Sequence, residues 1–223
     1  MLEDKKKRSL RGLKGFVVIL LIYVVLAVVS AVFYPKGFSP LTNTLPQLGD
    51  PALNPAGAIL YNIGVYVICG STFFIVVALL ATPKQWLTSR GAKRMNLFYF
   101  TLASMFLFTL FYVLTALALA SKNYGLNGLF TLLFLSFLEL FVACSAAGIR
   151  RLNDYVHWVP LFGFAVAILI PLLVVASAVY GFSLFSWLIA VLSWSYMVAF
   201  LYEFSASKEP APKAASETDG VLH

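Results

Sequence analysis

The sequence predicts an all-α integral membrane protein, a bundle of six transmembrane helices with both termini on the cytoplasmic side. Three observations carry that prediction. Of 223 residues, 61% are hydrophobic and 11% charged, against roughly 25% charged in an ordinary soluble domain, and mean hydropathy is +0.90. The apolar residues fall into six runs of the length a bilayer requires, about 20 residues. Lysine and arginine are distributed unevenly over the connectors.

Residues 1–14 form a basic arm with Lys5, Lys6, Lys7, Arg8, Arg11 and Lys14. The first span, 15–33, exceeds the usual core of a signal peptide. Val29-Ser30-Ala31 would serve as a cleavage site, but a retained first helix is the expectation. An external loop, 34–55, leads to a second span, 56–81, closed by Thr82-Pro83. The connector 84–96 is basic and carries Trp86, whose amphipathic ring suits a membrane interface. Spans at 97–120 and 127–149 are joined by a short turn, and residues 150–157 lead to a fifth span, 158–180. Pro171 lies inside that span and removes one backbone hydrogen bond. Gly181-Phe182-Ser183 turns the chain into the sixth span, 184–204. The tail, 205–223, is small, polar and proline-containing, and disorder is expected because it has too little apolar surface to bury.

Cytoplasmic loops carry an excess of lysine and arginine. Fourteen such residues lie on the arm, the 84–96 and 150–157 connectors and the tail; only Lys36 and Lys122 lie on the other side. Both termini are therefore expected in the cytoplasm and the 34–55 loop outside. The net charge of +7 sits beside apolar helices, so membrane lipid, with anionic lipid at the basic arm, is the expected partner, and nucleic acid is not.

The external loop is the one long stretch where polar and turn-forming residues gather outside the spans. Leu41, Leu45 and Leu48 recur at i, i+4, i+7, which predicts an amphipathic turn over 40–48, docked on the bundle and ended by Gly49. Asn54-Pro55 is a helix-start signal, asparagine accepting from free backbone N–H groups while proline tolerates the first helical position. The second helix is thus expected to begin near Pro55.

Inside the spans, Asn62, Tyr66 and Cys69 share a face, as do Thr101, Ser104, Phe108, Tyr112 and Thr115, and as do Ser136, Glu139, Ala143 and Ala146. Such stripes suit helix–helix packing and interhelical hydrogen bonds. Glu139 stands apart, the only acidic residue deep in any span. A central carboxylate costs about 2.5–3.5 kcal/mol on insertion scales, and the default reading of such a group is a functional site. Tyr66, Tyr112 and Ser136 are its expected hydrogen-bond partners. Cys69 and Cys144 lie in apolar runs without metal-ligand spacing, so neither a metal nor another cofactor is expected. G-x-S-x-G and H-E-x-x-H are missing. The outer loop has Asp50 as its sole carboxylate and no histidine, and Asp154 and His157 on the inner side make no site alone. No catalytic residue is assigned.

Leu48-Gly49, Asn54-Pro55, Tyr61-Asn62 and Gly64 resemble the LG, NP and YN-x-G signature preceding the second helix of a prokaryotic six-helix membrane family, catalogued as domain of unknown function 998. The likeness covers residues 34–80; beyond them it rests on helix count. That family is common in archaea, and is distantly similar to Frag/DRAM/Sfk-type proteins associated with lipid organisation. The turn before the fourth helix has Lys122-Asn123-Tyr124 where members often carry a histidine, so no histidine-dependent role carries over. The resemblance implies a cell-membrane protein with a lipid-related role. From the residues, three readings stand: a non-enzymatic protein that binds or organises lipid under the loop, with Asn54, Asn62, Tyr66, Tyr112 and Glu139 as ligand contacts; a proton-coupled transporter using Glu139; and, third, an intramembrane enzyme.

Overall fold

A computed structural model describes residues 2–35, 37–81, 92–150 and 158–206. Within them lie α1 (Leu2–Val32), a short 3-10 helix (Leu45–Gly49), α2 (Ala58–Ala81), α3 (Ala92–Ala120), α4 (Tyr124–Arg150), α5 (Trp158–Tyr180) and α6 (Leu184–Ala206). Each long helix contains a segment long and apolar enough to cross a membrane, so the fold is that of a six-helix, multi-pass membrane protein. Trp86, Asp154, His157 and the tail from residue 207 lie outside the described residues.

The six spans sit where hydropathy places them, and the differences are at the ends. α1 runs back to Leu2 instead of beginning at the apolar boundary, because lysine, arginine and leucine are good helix formers and outweigh Gly12 where no proline interrupts them. α2 begins at Ala58, three residues beyond Pro55, after a series of turns. The 40–48 amphipathic turn shrinks to the 3-10 helix Leu45–Gly49, which contains Gly49. Leu45 and Leu48 are buried, whereas Leu41 is 64% exposed. Pro46 tightens that helix at its first turn, and the Gln47 side chain reaches back to accept from Thr44 N–H at 3.0 Å while Gln47 N–H donates to Thr44 O at 3.1 Å.

Every helix packs on its neighbours in sequence, and α6 closes on α1, completing a ring of six. The centre is filled. Tyr112 on α3 and Trp194 on α6, from opposite sides of the ring, have centroids 6.5 Å apart; Tyr112 stacks on Phe134 at 4.8 Å, and Phe141 meets Phe200 edge-on at 5.2 Å. Aromatic rings thus occupy the axis where a pore or central cavity would lie. Large apolar side chains also point outward, among them Phe74 at 74% exposure and Val179 at 69%, as lipid-facing positions require.

Hydroxyls along the spans are mostly spent within their own helices. Thr72, Thr101, Thr109, Thr115, Thr131 and Ser136 each donate to the carbonyl four residues back, a local solution that hydrocarbon favours. Of the α4 stripe beginning at Ser136, only Ala146 faces the interior as the spacing suggested. Ser136 is exposed, Glu139 and Ala143 are half-buried, and the inward face is Leu138, Phe141, Val142, Ser145 and Ala146. In lipid both faces of a helix can be apolar, so polarity is a poor guide to which side is in.

The turn into α4 has a single strained position. Lys122 takes φ 58°, with Asn123 N–H bonded to Ala118 O and Lys122 N–H to Leu119 O, the helix ending that usually employs glycine. Near the other end of the bundle, Gly163 on α5 lets three helices meet. A Cβ there would lie 2.7 Å from Ala146 Cβ and 2.6 Å from Tyr196 Cε2, beside the 2.7 Å hydrogen bond shared by Ser145 and Tyr196. Gly163→Ala is therefore expected to cost about 1–3 kcal/mol, read as a lowered thermal midpoint in detergent; a midpoint at the wild-type value would show that the seam can give way.

Candidate functional site

The polar residues of the loop and the upper spans converge on one seam. Its first part is built on Asn54, fully buried. Its Nδ2 donates to Ser30 O at 3.1 Å, Ser30 Oγ at 3.0 Å and Leu48 O at 3.0 Å, while its Oδ1 accepts from Gly57 N–H at 3.1 Å. Ser30 Oγ in turn donates to Gly57 O at 2.9 Å and Leu48 O at 3.3 Å. One amide thereby serves a carbonyl in the last turn of α1, an N–H before α2 and a carbonyl of the 3-10 helix.

Asn62, one helical turn into α2, reaches back to the same segment: its Nδ2 donates to Gly49 O at 3.1 Å. Its Oδ1 is buried and has no hydrogen-bond partner. Gly49 is required here by space, since a Cβ would stand 2.5 Å from Asn62 Oδ1 and 2.7 Å from the Tyr61 ring. Directly below, the hydroxyls of Tyr23 on α1, Tyr61 on α2 and Tyr112 on α3 form a closed triangle. Tyr23–Tyr112 is 3.2 Å, Tyr61–Tyr112 3.3 Å and Tyr23–Tyr61 3.5 Å. Each hydroxyl has one proton and two lone pairs, so three can satisfy one another head to tail without water.

The rest of the loop is fastened as a lid. Trp187 Nε1 on α6 donates to Asn43 O at 3.0 Å, and Phe38 packs edge-on against Trp187 and Tyr34. Buried Asp50 accepts from Ala52 N–H at 2.8 Å and, more loosely, from Tyr124 O–H of α4 at 3.5 Å. The lid touches α1, α2, α3, α4 and α6.

Of the expected ligand contacts, Asn54, Asn62 and Tyr112 are brought into this seam, and Tyr66 lies half-buried farther along α2. Glu139 lies elsewhere, half-buried on α4, and its Oε2 has no hydrogen-bond partner. The partners expected for it are engaged differently: Ser136 donates to Leu132 O, and the Tyr112 hydroxyl belongs to the triangle. Cys69 and Cys144 are free thiols. Among the described residues no group of three or more His, Cys, Asp or Glu side chains could hold a metal ion. The seam brings no nucleophile to a base; what it can do chemically is donate and accept hydrogen bonds.

Ser30, Tyr23 and Tyr61 are the members that sequence reasoning missed. Ser30 figured only as part of a cleavage-site pattern, although a lone hydroxyl residue in an aliphatic run is itself a signal. Tyr23 sits in a valine- and leucine-rich helix, where its hydroxyl has to find a partner on another helix. Glu203, 2% exposed near the end of α6, is a buried acid that its position at the edge of a span concealed. No family model, curated protein or solved structure matches the chain.

Asn54 can be separated into its two roles. Asn54→Ala is expected to lower stability by about 2–4 kcal/mol, a cap plus a buried donor being lost together. Asn54→Asp keeps the cap but points a second acceptor at Leu48 O and Ser30 O, and should be no milder. Hydrogen–deuterium exchange over 44–58 reads the release of the lid; unchanged protection in both variants would show that the amide does not hold it.

Proposed function

We propose that the protein binds and organises membrane lipid without chemical turnover, in the cell membrane, with both termini cytoplasmic and the loop as an external lid. The observation that carries this reading is Asn62 Oδ1, a buried acceptor without a partner, beneath a lid and one residue from a hydroxyl cluster. Such an atom is costly to leave unpaired, and a lipid head group offering a hydroxyl or ammonium proton would satisfy it once the lid lifts. Asn54 fits the role of lid fastener better than that of ligand contact, because both of its polar atoms are bonded internally. Resemblance to the family catalogued as domain of unknown function 998 leans the same way, as an analogy of fold.

The test is mass spectrometry of lipid retained after gentle purification. Asn62→Leu is expected to reduce the retained lipid about fivefold, the worth of one interhelical-strength hydrogen bond of about 1 kcal/mol. Retention equal to wild type would sink the proposal.

A second reading, proton-coupled transport, is favoured by one observation, the unpartnered Oε2 of Glu139. An ionisable group inside a span is by default a candidate for a proton relay. In proteoliposomes Glu139→Gln would then abolish pH-dependent flux of the transported solute, and flux that keeps its pH dependence in the variant removes this reading.

A further inference from the structure

The end of the bundle opposite the lid has an open-sided apolar groove of ≈ 340 Å³ between α1, α5 and α6. In the ring α6 stands between the other two, so it supplies the floor, with Ala199 and Tyr202, while Leu13 and Val17 form one wall and Trp158 and Phe162 the other. The small side chain of Ala199 is what gives the groove its depth. In a protein that crosses a bilayer this surface meets acyl chains, and the residues around it specify which lipid. Trp158 and Tyr202 are 51% and 43% exposed, rings of the kind that settle at head-group level. Lys14, exposed, directly follows Leu13, and α1 continues as helix to Leu2, carrying Arg11, Arg8, Lys7, Lys6 and Lys5 in its next turns. Glu203, the acidic residue next to Tyr202, is buried at 2% exposure.

The geometry points to a site for one acyl chain of an anionic phospholipid, with its phosphate at Lys14. The inference rests on the lipid-binding reading and deepens it, naming a lipid class and a second location remote from the lid. An acyl chain lying in the groove hangs from a head group beside the exposed Lys14, and a zwitterionic lipid would gain the same apolar contact without that attraction.

Trp158 is a built-in reporter. The full-length protein is reconstituted in phosphatidylcholine vesicles containing either phosphatidylglycerol or phosphatidylcholine brominated in the acyl chains, and the Trp158 signal is taken as the difference from Trp158→Phe. Brominated phosphatidylglycerol is expected to quench at a mole fraction at least about fivefold lower, one basic group at a membrane surface being worth about that factor. Lys14→Gln should narrow the gap by about fivefold, and Ala199→Phe, which fills the floor, should close it with helical circular dichroism unchanged. Should Ala199→Phe fail to fold, Lys14→Gln, at an exposed position, still decides. Equal quenching by the two lipids overturns the site; if lipid still co-purifies and is lost in Asn62→Leu, the lipid-binding reading survives that result. Equal quenching with no retained lipid would remove both.

Discussion

A single carboxamide holds the lid end of this bundle together. Asn54 satisfies a carbonyl of Ser30 in the last turn of α1, an N–H of Gly57 at the entrance to α2 and a carbonyl of Leu48 in the 3-10 helix between them. The physical constraint behind it is strict, because helix ends leave backbone groups unpaired and a water-poor environment penalises each one. Meeting that constraint with one side chain also fixes how closely α1 and α2 approach and where the loop between them lies. The position of Gly49 against Tyr61 and Asn62, and hence the roof over the hydroxyl triangle, follows from that fastening.

Below the lid, specificity comes from a few polar contacts and from close approach. Lipid tails are as apolar as leucine, so burying leucine against leucine gains little between helices in a bilayer. The tyrosine triangle ties α1, α2 and α3 at one level, and the Ser145–Tyr196 pair ties α4 to α6 at another, where Gly163 admits α5. Between these levels the contacts are aromatic. The rings of Tyr112 and Trp194 meet across the ring of helices, with centroids 6.5 Å apart.

Span number and position were legible in the sequence because hydropathy over about 20 residues is a strong, local signal. Helix ends were less so: the basic arm reads as a solvated segment by charge, yet its residues are helix formers and continue α1 to Leu2. Facing was harder still. The α4 stripe through Ser136 and Glu139 had the spacing of an inward face, but Leu138, Phe141 and Val142 form it instead. Asn54 and Asn62 were legible as special through the turn chemistry around them, whereas their partners were not, since Ser30 and Leu48 are 24 and 6 residues away from Asn54. Which tyrosines meet depends on the ring order of the helices, and a sequence without that order cannot pair Tyr23 with Tyr112 across 89 residues.

The closing contact of the ring has a consequence for how the molecule is made. α1 is synthesised before α6, with four of the described helices between them, yet the two are neighbours, with Phe16 and Tyr23 of the one against Trp194 of the other. Synthesis runs from the N-terminal side, so until α6 enters the bilayer α1 to α5 form an open arc in which the α6-facing flank of α1 is uncovered. α6 is therefore a latch: it converts a row of helices into a closed body, and any delay or error in its insertion is felt at α1.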